Sequence, residues 1–356
     1  MLEYSIWINS LCYTEPNISS LSLATIEALA PRNLTNRRSR RYAGDDISSK
    51  LSDFAQVDQD FIVRLYAFLQ ELFERLQPDA VGNGRTTREQ QEFLAGVDVD
   101  GWVRTARGFG SASYAASGSA LLAKTIHDVR GGGLTSILGY LSMMITEDGR
   151  TDALNGLFFL TRDHLKIIRN AIVGLDDEKR AEDLLPKLHT IGLIVEKWNG
   201  AMFGPAGEQV RVAVDHHYDG PIAECCVEFG ALDRILYNLM NNAVRHAAEK
   251  EVRLFVLPLP DQSEPENLRF ALSNRVADAD LAKLAQIGAL HDLRELFASG
   301  VSTTASGLGL TIVTDFVCNA YGIVIREDAF EDGYLGARVE QGNFVIWFHW
   351  PMSHGI

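Results

Sequence analysis

The sequence predicts a multidomain α plus α/β protein, in which a helical first part precedes a two-layer α/β sandwich. The chain has 356 residues, more than one ordinary domain. Apolar residues recur at spacings of three and four over residues 59–77 and 122–175, which predicts amphipathic helices. From about residue 181, helix-like and strand-like segments alternate, which is typical of helices packed on a sheet.

Composition narrows the class of function. The chain is 46% hydrophobic and 22% charged, as in folded soluble proteins. A net charge of −14 argues against nucleic-acid binding, which needs a positive face. No apolar run reaches the roughly 18 residues of a membrane span, and the N-terminus lacks a signal-peptide pattern. We therefore expect a cytoplasmic protein with no membrane span, whose four cysteines stay reduced (Cys12, Cys225, Cys226 and Cys318).

The first region, residues 1–107, is predicted to be mostly helical and to have a sensory or regulatory role, and the sequence does not define its fold. An amphipathic helix over residues 59–77 ends before Pro78. Thr86 and Glu89 have the spacing of a capping box, which predicts a further helix. The basic cluster at residues 37–41 is interpreted as a solvated loop.

The second region, residues 108–180, is predicted to form a helical hairpin. After a flexible junction at residues 108–120, one long helix covers Leu122–Met144 and a second covers Leu154–Leu175. Both helices have wide apolar arcs, which a single hairpin cannot bury. The economical solution is a homodimer in which two hairpins form a four-helix bundle.

The third region, residues 181–356, is predicted to be the two-layer sandwich. The predicted helices are Leu184–Trp198, Leu232–Ala248 and Leu308–Ala320. The predicted strands are Val210–Val214, Cys225–Phe229, Val252–Leu257, Leu268–Leu272, Ile323–Arg326 and Phe344–Trp350.

His127 is the first candidate catalytic residue. It lies at the margin of an apolar helical face and is followed by Asp128 and Arg130. A neutral imidazole with one nitrogen held by a carboxylate is a competent nucleophile. The segment IHDVRGGGLTSILGYLSMM (residues 126–144) resembles the phosphoacceptor H-box of sensor histidine kinases, in which a hairpin dimerises into a four-helix bundle.

A second segment carries the same resemblance. LDRILYNLMNNAVRHA (residues 232–247) is similar to the N-box helix of that family's ATP-binding domain. Asn238 and Asn242 are four residues apart and share one helical face. The resemblance implies that Asn242 binds Mg²⁺, that Asn238 supports the site, and that Arg245 and His246 lie near the nucleotide.

A third segment, residues 296–322, resembles the lid and the G2 box. Gly307, Leu308, Gly309 and Leu310 form a glycine-rich entry into a helix, where backbone N–H groups can meet phosphate oxygens. The three motifs together imply a dimerisation and phosphoacceptor hairpin followed by an ATP-binding domain, with ATP and Mg²⁺ as cofactors.

Two departures from the family pattern affect the expected activity. The G1 box of the family has an Asp that accepts the adenine amino group. Here that position is most simply Ser273, which is followed by Asn274 and by no glycine. Asn274 or Asp278 could take the place of the missing Asp. Three glycines, Gly131–Gly133, begin four residues after His127, where the family usually has Asn or Thr and then Pro. The second departure predicts weak phosphatase activity.

The leading hypothesis is a cytoplasmic histidine kinase that phosphorylates His127 from Mg-ATP and passes the phosphoryl group to an aspartate of a response regulator. An alternative is a histidine phosphotransferase that receives its phosphoryl group from a regulator, which the altered G1 box favours. A third hypothesis is a pseudokinase adaptor, which the retained Asn238 and Asn242 disfavour.

Overall fold

A computed structural model defines the fold. It describes residues 21–29, 34, 48–76, 87–146, 151–203, 209–260, 265–286, 293–297 and 309–352. Predictions for residues 1–13, 37–41, 78–86 and 298–308 therefore lie outside the described residues, and Gly307 and Leu308 are among them.

Helices dominate the first half of the chain. The α-helices are α1 (Leu23–Glu27), α2 (Gln56–Arg75), α3 (Arg88–Ala95), α4 (Val99–Gly108), α5 (Ser111–Ser117), α6 (Ala120–Arg130), α7 (Gly132–Thr146), α8 (Thr151–Ala171), α9 (Asp177–Asp183), α10 (Gly192–Trp198), α11 (Cys226–Arg245), α12 (Asp278–Gln286), α13 (Gly309–Tyr321) and α14 (Arg326–Glu331). Short 3₁₀ turns cover Leu51–Asp53 and Leu293–Phe297.

Most strands lie in the second half. The strands are β1 (Ser49–Lys50), β2 (Ile172–Val173), β3 (His189–Thr190), β4 (Met202–Phe203), β5 (Val210–His216), β6 (Pro221–Ala223), β7 (Glu251–Leu259), β8 (Asn267–Arg275), β9 (Leu335–Glu340) and β10 (Asn343–Pro351). The predicted order of a helical part followed by a mixed α/β sheet domain is confirmed.

The main sheet has six strands in the order β4-β5-β7-β8-β10-β9. Strands β5 and β7 are parallel, and the other neighbours are antiparallel. Alternate residues of β8 face opposite sides because side chains alternate along a strand. Leu268, Phe270 and Leu272 join the main core with α11 and α13, and Ala271 faces the other side.

Several predicted elements are wrong because a short apolar run does not separate helix from strand. Cys225–Phe229, predicted as a strand, forms the first turn of α11. Leu184–Trp198, predicted as one helix, contains β3 and then α10. Ile323–Arg326 is not a strand, and the partner of β10 at the sheet edge is β9.

The start of α3 lies one residue beyond the predicted capping box. Thr87 Oγ1 accepts from the Gln90 backbone N–H, and the Gln90 side chain accepts from the Thr87 N–H. The junction at residues 108–120 is also more ordered than predicted, since it contains α5. Asp58 of α2 is buried and accepts from Gly110 and Ser113 at the α5 N-terminus, which ties the two helices together.

The apolar arcs of the hairpin are covered within one chain. Phe73 of α2 stacks on Phe158 of α8 with ring centroids 5.0 Å apart, and α3, α4 and α6 contact α7. The arc residues at the centre of both helices are buried, namely Leu134, Ile137, Leu138, Leu141, Leu154, Leu157, Leu165 and Ile168. The homodimer stays a prediction, but the uncovered arcs from which it was inferred are absent from the described residues.

Helix α1 lies on the sheet face opposite α11. Its Ile26, with the flanking Leu21 and Leu29, packs against Phe255 and Val345. Arg269 of β8 is fully buried and donates from Nη1 to the backbone oxygens of Ile26, at 2.8 Å, and Glu27, at 3.0 Å. These carbonyls belong to the end of α1, where the Ile26 oxygen also accepts from the Leu29 backbone N–H at 3.2 Å, so the guanidinium adds a cap to the helix end.

No helix among the described residues is long and apolar enough to cross a membrane.

Replacement of Arg269 by Met is expected to release α1 from the sheet, because Ile26 and Glu27 lose the donor that Arg269 supplies. We expect faster hydrogen exchange in residues 21–29 and a loss of about 1–3 kcal/mol in the free energy of unfolding. Arg253→Met is the matched control, since Arg253 on the next strand pairs with Glu251 near the surface and should contribute less than about 0.5 kcal/mol. Unchanged exchange in residues 21–29 would contradict the role of Arg269.

Candidate functional site

The helix that carries His127 ends three residues after it, at Arg130. The predicted continuous helix over Leu122–Met144 is wrong, because Gly131 has an extended ψ of −159° and separates α6 from α7. Three successive glycines give the weakest helix propensity short of proline. A methyl group at residue 131 would come within 2.6 Å of the His127 carbonyl oxygen. The glycine therefore permits a tight break, and His127 lies in the last turn of α6.

A second histidine stabilises the break. His164 of α8 is 1% exposed, and its Nε2 lies 3.1 Å from the Val129 carbonyl oxygen, near the end of α6. Its Nδ1 faces Gly133, where a methyl group would come within 2.7 Å. Burial lowers the pKa of His164 to about 4. The ring is therefore neutral at pH 7 and donates from Nε2 to a helix-end carbonyl.

His127 lies next to Asp128, which forms an ion pair with Arg234 of α11. The His127 Nδ1 is 3.7 Å from Asp128 Oδ1, and Asp128 Oδ2 accepts from Arg234 Nη2. Burial alone would raise the pKa of Asp128, but Arg234 and His127 hold it below its usual value. Nδ1 is a buried ring nitrogen, and the His127 side chain as a whole is 23% exposed. Asp128 is therefore ionised and oriented towards Nδ1.

Beside His127 there is a small, partly open cleft. It lies between the α6–α7 break, α8 and α11. Its lining residues are His127, Asp128, Gly131, Gly133, His164, Ile167, Arg234, Tyr237, Asn238 and Asn241. The predicted phosphoacceptor and the first N-box asparagine thus share one cleft. Arg130, also predicted as catalytic, is exposed at the end of α6 and does not line it.

Asn238 links the cleft to the start of α13. Its Nδ2 donates to the Arg234 carbonyl oxygen at 2.8 Å. Its Oδ1 lies 3.1 Å from where a side chain at Gly309 would begin, so the glycine permits this close approach. The N-terminus of α13, with Gly309 and Leu310, is therefore next to the N-box helix. Leu310 itself packs partly buried against the main core.

The remaining N-box residues lie at the far end of α11. Asn242 is half-buried, one turn beyond Asn238 on the same face. Arg245 is exposed in the last turn, and His246 caps the helix with its Nδ1 3.8 Å from Asp280 Oδ2 on α12. His246 therefore lies beside α12, while the approach to the start of α13 is made by Asn238.

Strand β8 continues to Arg275 instead of ending at Leu272, and this changes the interpretation of the G1 position. Ser273 pairs with Val345 and Arg253, and shares a face with Ala271, away from α11. Asn274 lies on the face of Leu272, and its Nδ2 donates to the His246 carbonyl oxygen at 3.2 Å. The alternation of β8 therefore favours Asn274 over Ser273 as the residue beside the N-box helix.

A buried ionic network lies behind the cleft. Lys197 of α10 binds Asp163 of α8 at 2.7 Å and Asp233 of α11 at 3.0 Å, and all three side chains are at most 5% exposed. Burial raises the pKa of Asp233, while Lys197 and Arg162 hold that of Asp163 below its usual value. The Lys197 Nζ also lies 4.1 Å from the ring centroid of Tyr237, a cleft residue. The network therefore fixes α8 relative to α11.

Sequence reasoning missed Arg234, His164 and Lys197. Arg234 precedes Asn238 by four residues, so its position on the asparagine face was visible in the sequence. His164 interrupts the apolar arc of α8, which marked it as a buried polar residue. Lys197 gives no such signal, because its partners are 34 and 36 positions away and come together only in the fold.

The donors present suit a Mg-nucleotide. An amide oxygen is a hard ligand of the kind Mg²⁺ takes, and Asn242 is half-buried, so its amide is not enclosed. The first backbone N–H groups of the 13-residue helix α13 have no partner within the helix and point out of its N-terminus, which favours the binding of phosphate there. The described residues contain no cluster of three or more His, Cys, Asp or Glu side chains that could hold a metal ion. A cation here would thus depend on amide and phosphate oxygens.

Several solved structures of histidine kinases are similar to this chain. Full-length ShkA in complex with AMPPNP is 17% identical, and the match covers 76% of this chain and 47% of ShkA with a TM-score of 0.31. The Acinetobacter baumannii kinase AdeS is 13% identical over 64% of this chain and 98% of its own, with a TM-score of 0.27. The kinase domain of Erythrobacter litoralis EL346, a blue-light activated histidine kinase, is 13% identical over 80% of this chain and 94% of its own, with a TM-score of 0.26.

These structures belong to the family that the three motifs resemble. The chain spans about half the length of ShkA. No protein-family model and no curated protein matches the sequence. TM-scores this low transfer no residue role, so the role of each residue follows from its own contacts.

Gly133 and Gly139 of α7 offer a matched pair for testing the contact with His164. We expect Gly133→Ala to destabilise the protein by about 1–3 kcal/mol, because the new methyl group meets His164 Nδ1 at 2.7 Å. Gly139→Ala has nothing within 4 Å and should stabilise α7 by up to about 1 kcal/mol. Urea unfolding of both variants measures the difference, and equal effects would contradict the close packing of His164.

The neutral state of His164 predicts a loss of stability in acid. Its pKa of about 4 lies below the unfolded value near 6.5, so the unfolded chain binds the proton first as pH falls. Between pH 7 and pH 5 this should cost the wild type about 2 kcal/mol more than His164→Gln, which can donate to Val129 and does not titrate. Urea unfolding at both pH values tests the difference. Equal losses would show that His164 is not buried neutral.

Proposed function

We propose that this chain is an ATP-dependent protein-histidine kinase of a two-component system, with His127 as the phosphoacceptor. The observation that carries the proposal is the shared cleft of His127 and Asn238 beside the N-terminus of α13. A nucleophilic imidazole, amide oxygens and a phosphate-binding helix end are the parts that phosphoryl transfer to histidine requires. The resemblance of three motifs to histidine kinases supports the same function.

His127 acts as the nucleophile. The carboxylate of Asp128 beside Nδ1 favours the tautomer that carries its proton there, which leaves the Nε2 lone pair free. Nε2 attacks the γ-phosphorus of ATP and forms an N–P bond. The bond from that phosphorus to the bridging oxygen breaks, and ADP leaves with its electron pair. Asp128 stabilises the positive charge that develops on the ring, whose Nδ1 proton is then lost to water.

The residues that would hold Mg-ATP lie on α11, at the start of α13 and on β8. Asn242 would bind Mg²⁺, which neutralises phosphate charge when bound. The N-terminus of α13 at Gly309 and Leu310 would receive the phosphates. Asn274 has its Nδ2 bound to main-chain carbonyls, so its Oδ1 is the atom suited to accept the adenine amino group.

Two further parts of the proposal concern partners. The phosphoryl group would pass from His127 to an aspartate of a response-regulator receiver domain. Residues 1–107 would bias the hairpin between active and idle packings, as the contact of Asp58 with the start of α5 allows. We propose the cytoplasm as the site of action.

A histidine phosphotransferase is the second candidate. The observation that favours it is the G1 position, where an amide occupied by backbone contacts replaces a carboxylate and no glycine follows. Such a protein would keep His127 and receive its phosphoryl group from a regulator.

Incubation with γ-labelled ATP and Mg²⁺ is expected to label the wild type with the acid lability and alkali stability of phosphohistidine. His127→Ala should lose all label, because the acceptor is gone, and Asn242→Ala should lose at least about 90%, because Mg²⁺ loses a ligand. His217→Gln is the control, since this exposed histidine lies at the start of the β5–β6 loop and should leave labelling unchanged.

Label that survives in His127→Ala would overturn the assignment of the acceptor. A wild type that takes label from a phosphorylated receiver domain but not from ATP would establish the phosphotransferase instead. Absence of both labels would favour an adaptor.

A further inference from the structure

We infer that His127 is phosphorylated within a single chain, by nucleotide held on that chain's own α11 and α13, so that one copy is sufficient for the reaction. This inference rests on the proposed kinase function. It concerns which chain supplies the nucleotide, a question that the motifs leave open.

Helix α6 is bound to the sheet domain of its own chain by two ion pairs. Lys124 pairs with Asp315 of α13, and Asp128 pairs with Arg234 of α11. Lys124 and Asp128 are one helical turn apart, so both pairs lie on one face of α6. The side chains of the second pair are 3% and 7% exposed, and those of the first are 15% exposed.

The two pairs fix a single orientation. A buried charge needs its partner, because separation leaves it uncompensated. Arg234 also lies over the ring of Phe316 of α13, with its guanidinium carbon 4.4 Å from the ring centroid. One guanidinium therefore joins α6, α11 and α13 at a single point, next to the acceptor.

This docking also sets the position of His127. It lies between Lys124 and Asp128 in sequence, and its side chain lines the cleft that Asn238 and Asn241 of the same chain complete. The imidazole of His127 thus lies beside the chain's own α11, which carries the asparagines of the proposed nucleotide site. No residue of a second copy is needed to complete the cleft.

The hairpin also offers little apolar surface to a second copy. A four-helix bundle between two chains needs an uncovered apolar arc on each hairpin. Here α2, α3, α4 and α6 cover α7 and α8, and among the described side chains of those two helices Ile145 is the one large apolar group more than 40% exposed. The first region of the chain therefore takes the place that a partner hairpin would occupy.

A complementation experiment tests the inference. His127→Ala lacks the acceptor but keeps the nucleotide site, and Asn242→Ala keeps the acceptor. We expect an equal mixture of the two, incubated with γ-labelled ATP and Mg²⁺, to stay unlabelled, while wild type mixed equally with His127→Ala gives half the label of wild type alone. The initial rate per chain should not change over a hundredfold dilution, and light scattering should give the 39.4 kDa of one chain.

The outcomes separate the two proposals. Label in the mixture, or a rate per chain that falls on dilution, would overturn transfer within one chain and leave the kinase function intact. An unlabelled wild type would overturn both.

Variants of the outer ion pair test the docking itself. Lys124→Met should slow labelling about tenfold with ATP affinity unchanged. Asp315→Asn also removes the pair of Asp315 with Arg326, so it should slow labelling at least as much. The double variant should be no slower than Asp315→Asn, because the pair with Lys124 is already lost there. Arg88→Met is the control, since the Arg88–Glu92 pair is exposed on α3. Additive effects in the double variant would overturn the docking by this pair.

Discussion

The ion pair between Asp128 and Arg234 is the contact on which the arrangement of the candidate site depends. Both charges are buried, and each would be uncompensated if α6 left α11. The same contact holds the pKa of Asp128 below its usual value, so the carboxylate beside His127 stays ionised. The cleft, the orientation of the acceptor and the electrostatics beside it therefore come from one pairing between distant parts of the chain.

Much of the fold was predictable where long segments keep one period. Helices α2, α11 and α13 and strands β7 and β8 overlap their predicted segments, because a sustained apolar pattern identifies a buried face, although β8 continues to Arg275. The failures lie in short apolar runs. Cys225–Phe229 continues into the longer helix α11, and residues 184–198 divide between β3 and α10, since tertiary packing decides the state of such segments.

The candidate site was predictable only in part. The motifs indicated His127, Asn238 and Gly309, and the structure brings these three around one cleft and one helix end. Spacing could not indicate Arg234 as the partner of Asp128, because 106 positions separate them. The break at Gly131 was visible as a glycine triad, but its cap was not, since His164 belongs to another helix. The homodimer stays a prediction, and within the described residues the first region covers the apolar arcs from which it was inferred.

The contact of α1 with the sheet has a consequence for the order of folding during synthesis. Ile26 is made early, but Arg269, its donor, follows 243 positions later. At about 5–20 residues per second the ribosome needs about 10–50 s to add that length. The apolar side of α1 thus has no sheet to pack against until most of these residues have been synthesised. Helix α1 can therefore reach its final place only after β8 has been made, so its docking follows the formation of that part of the sheet.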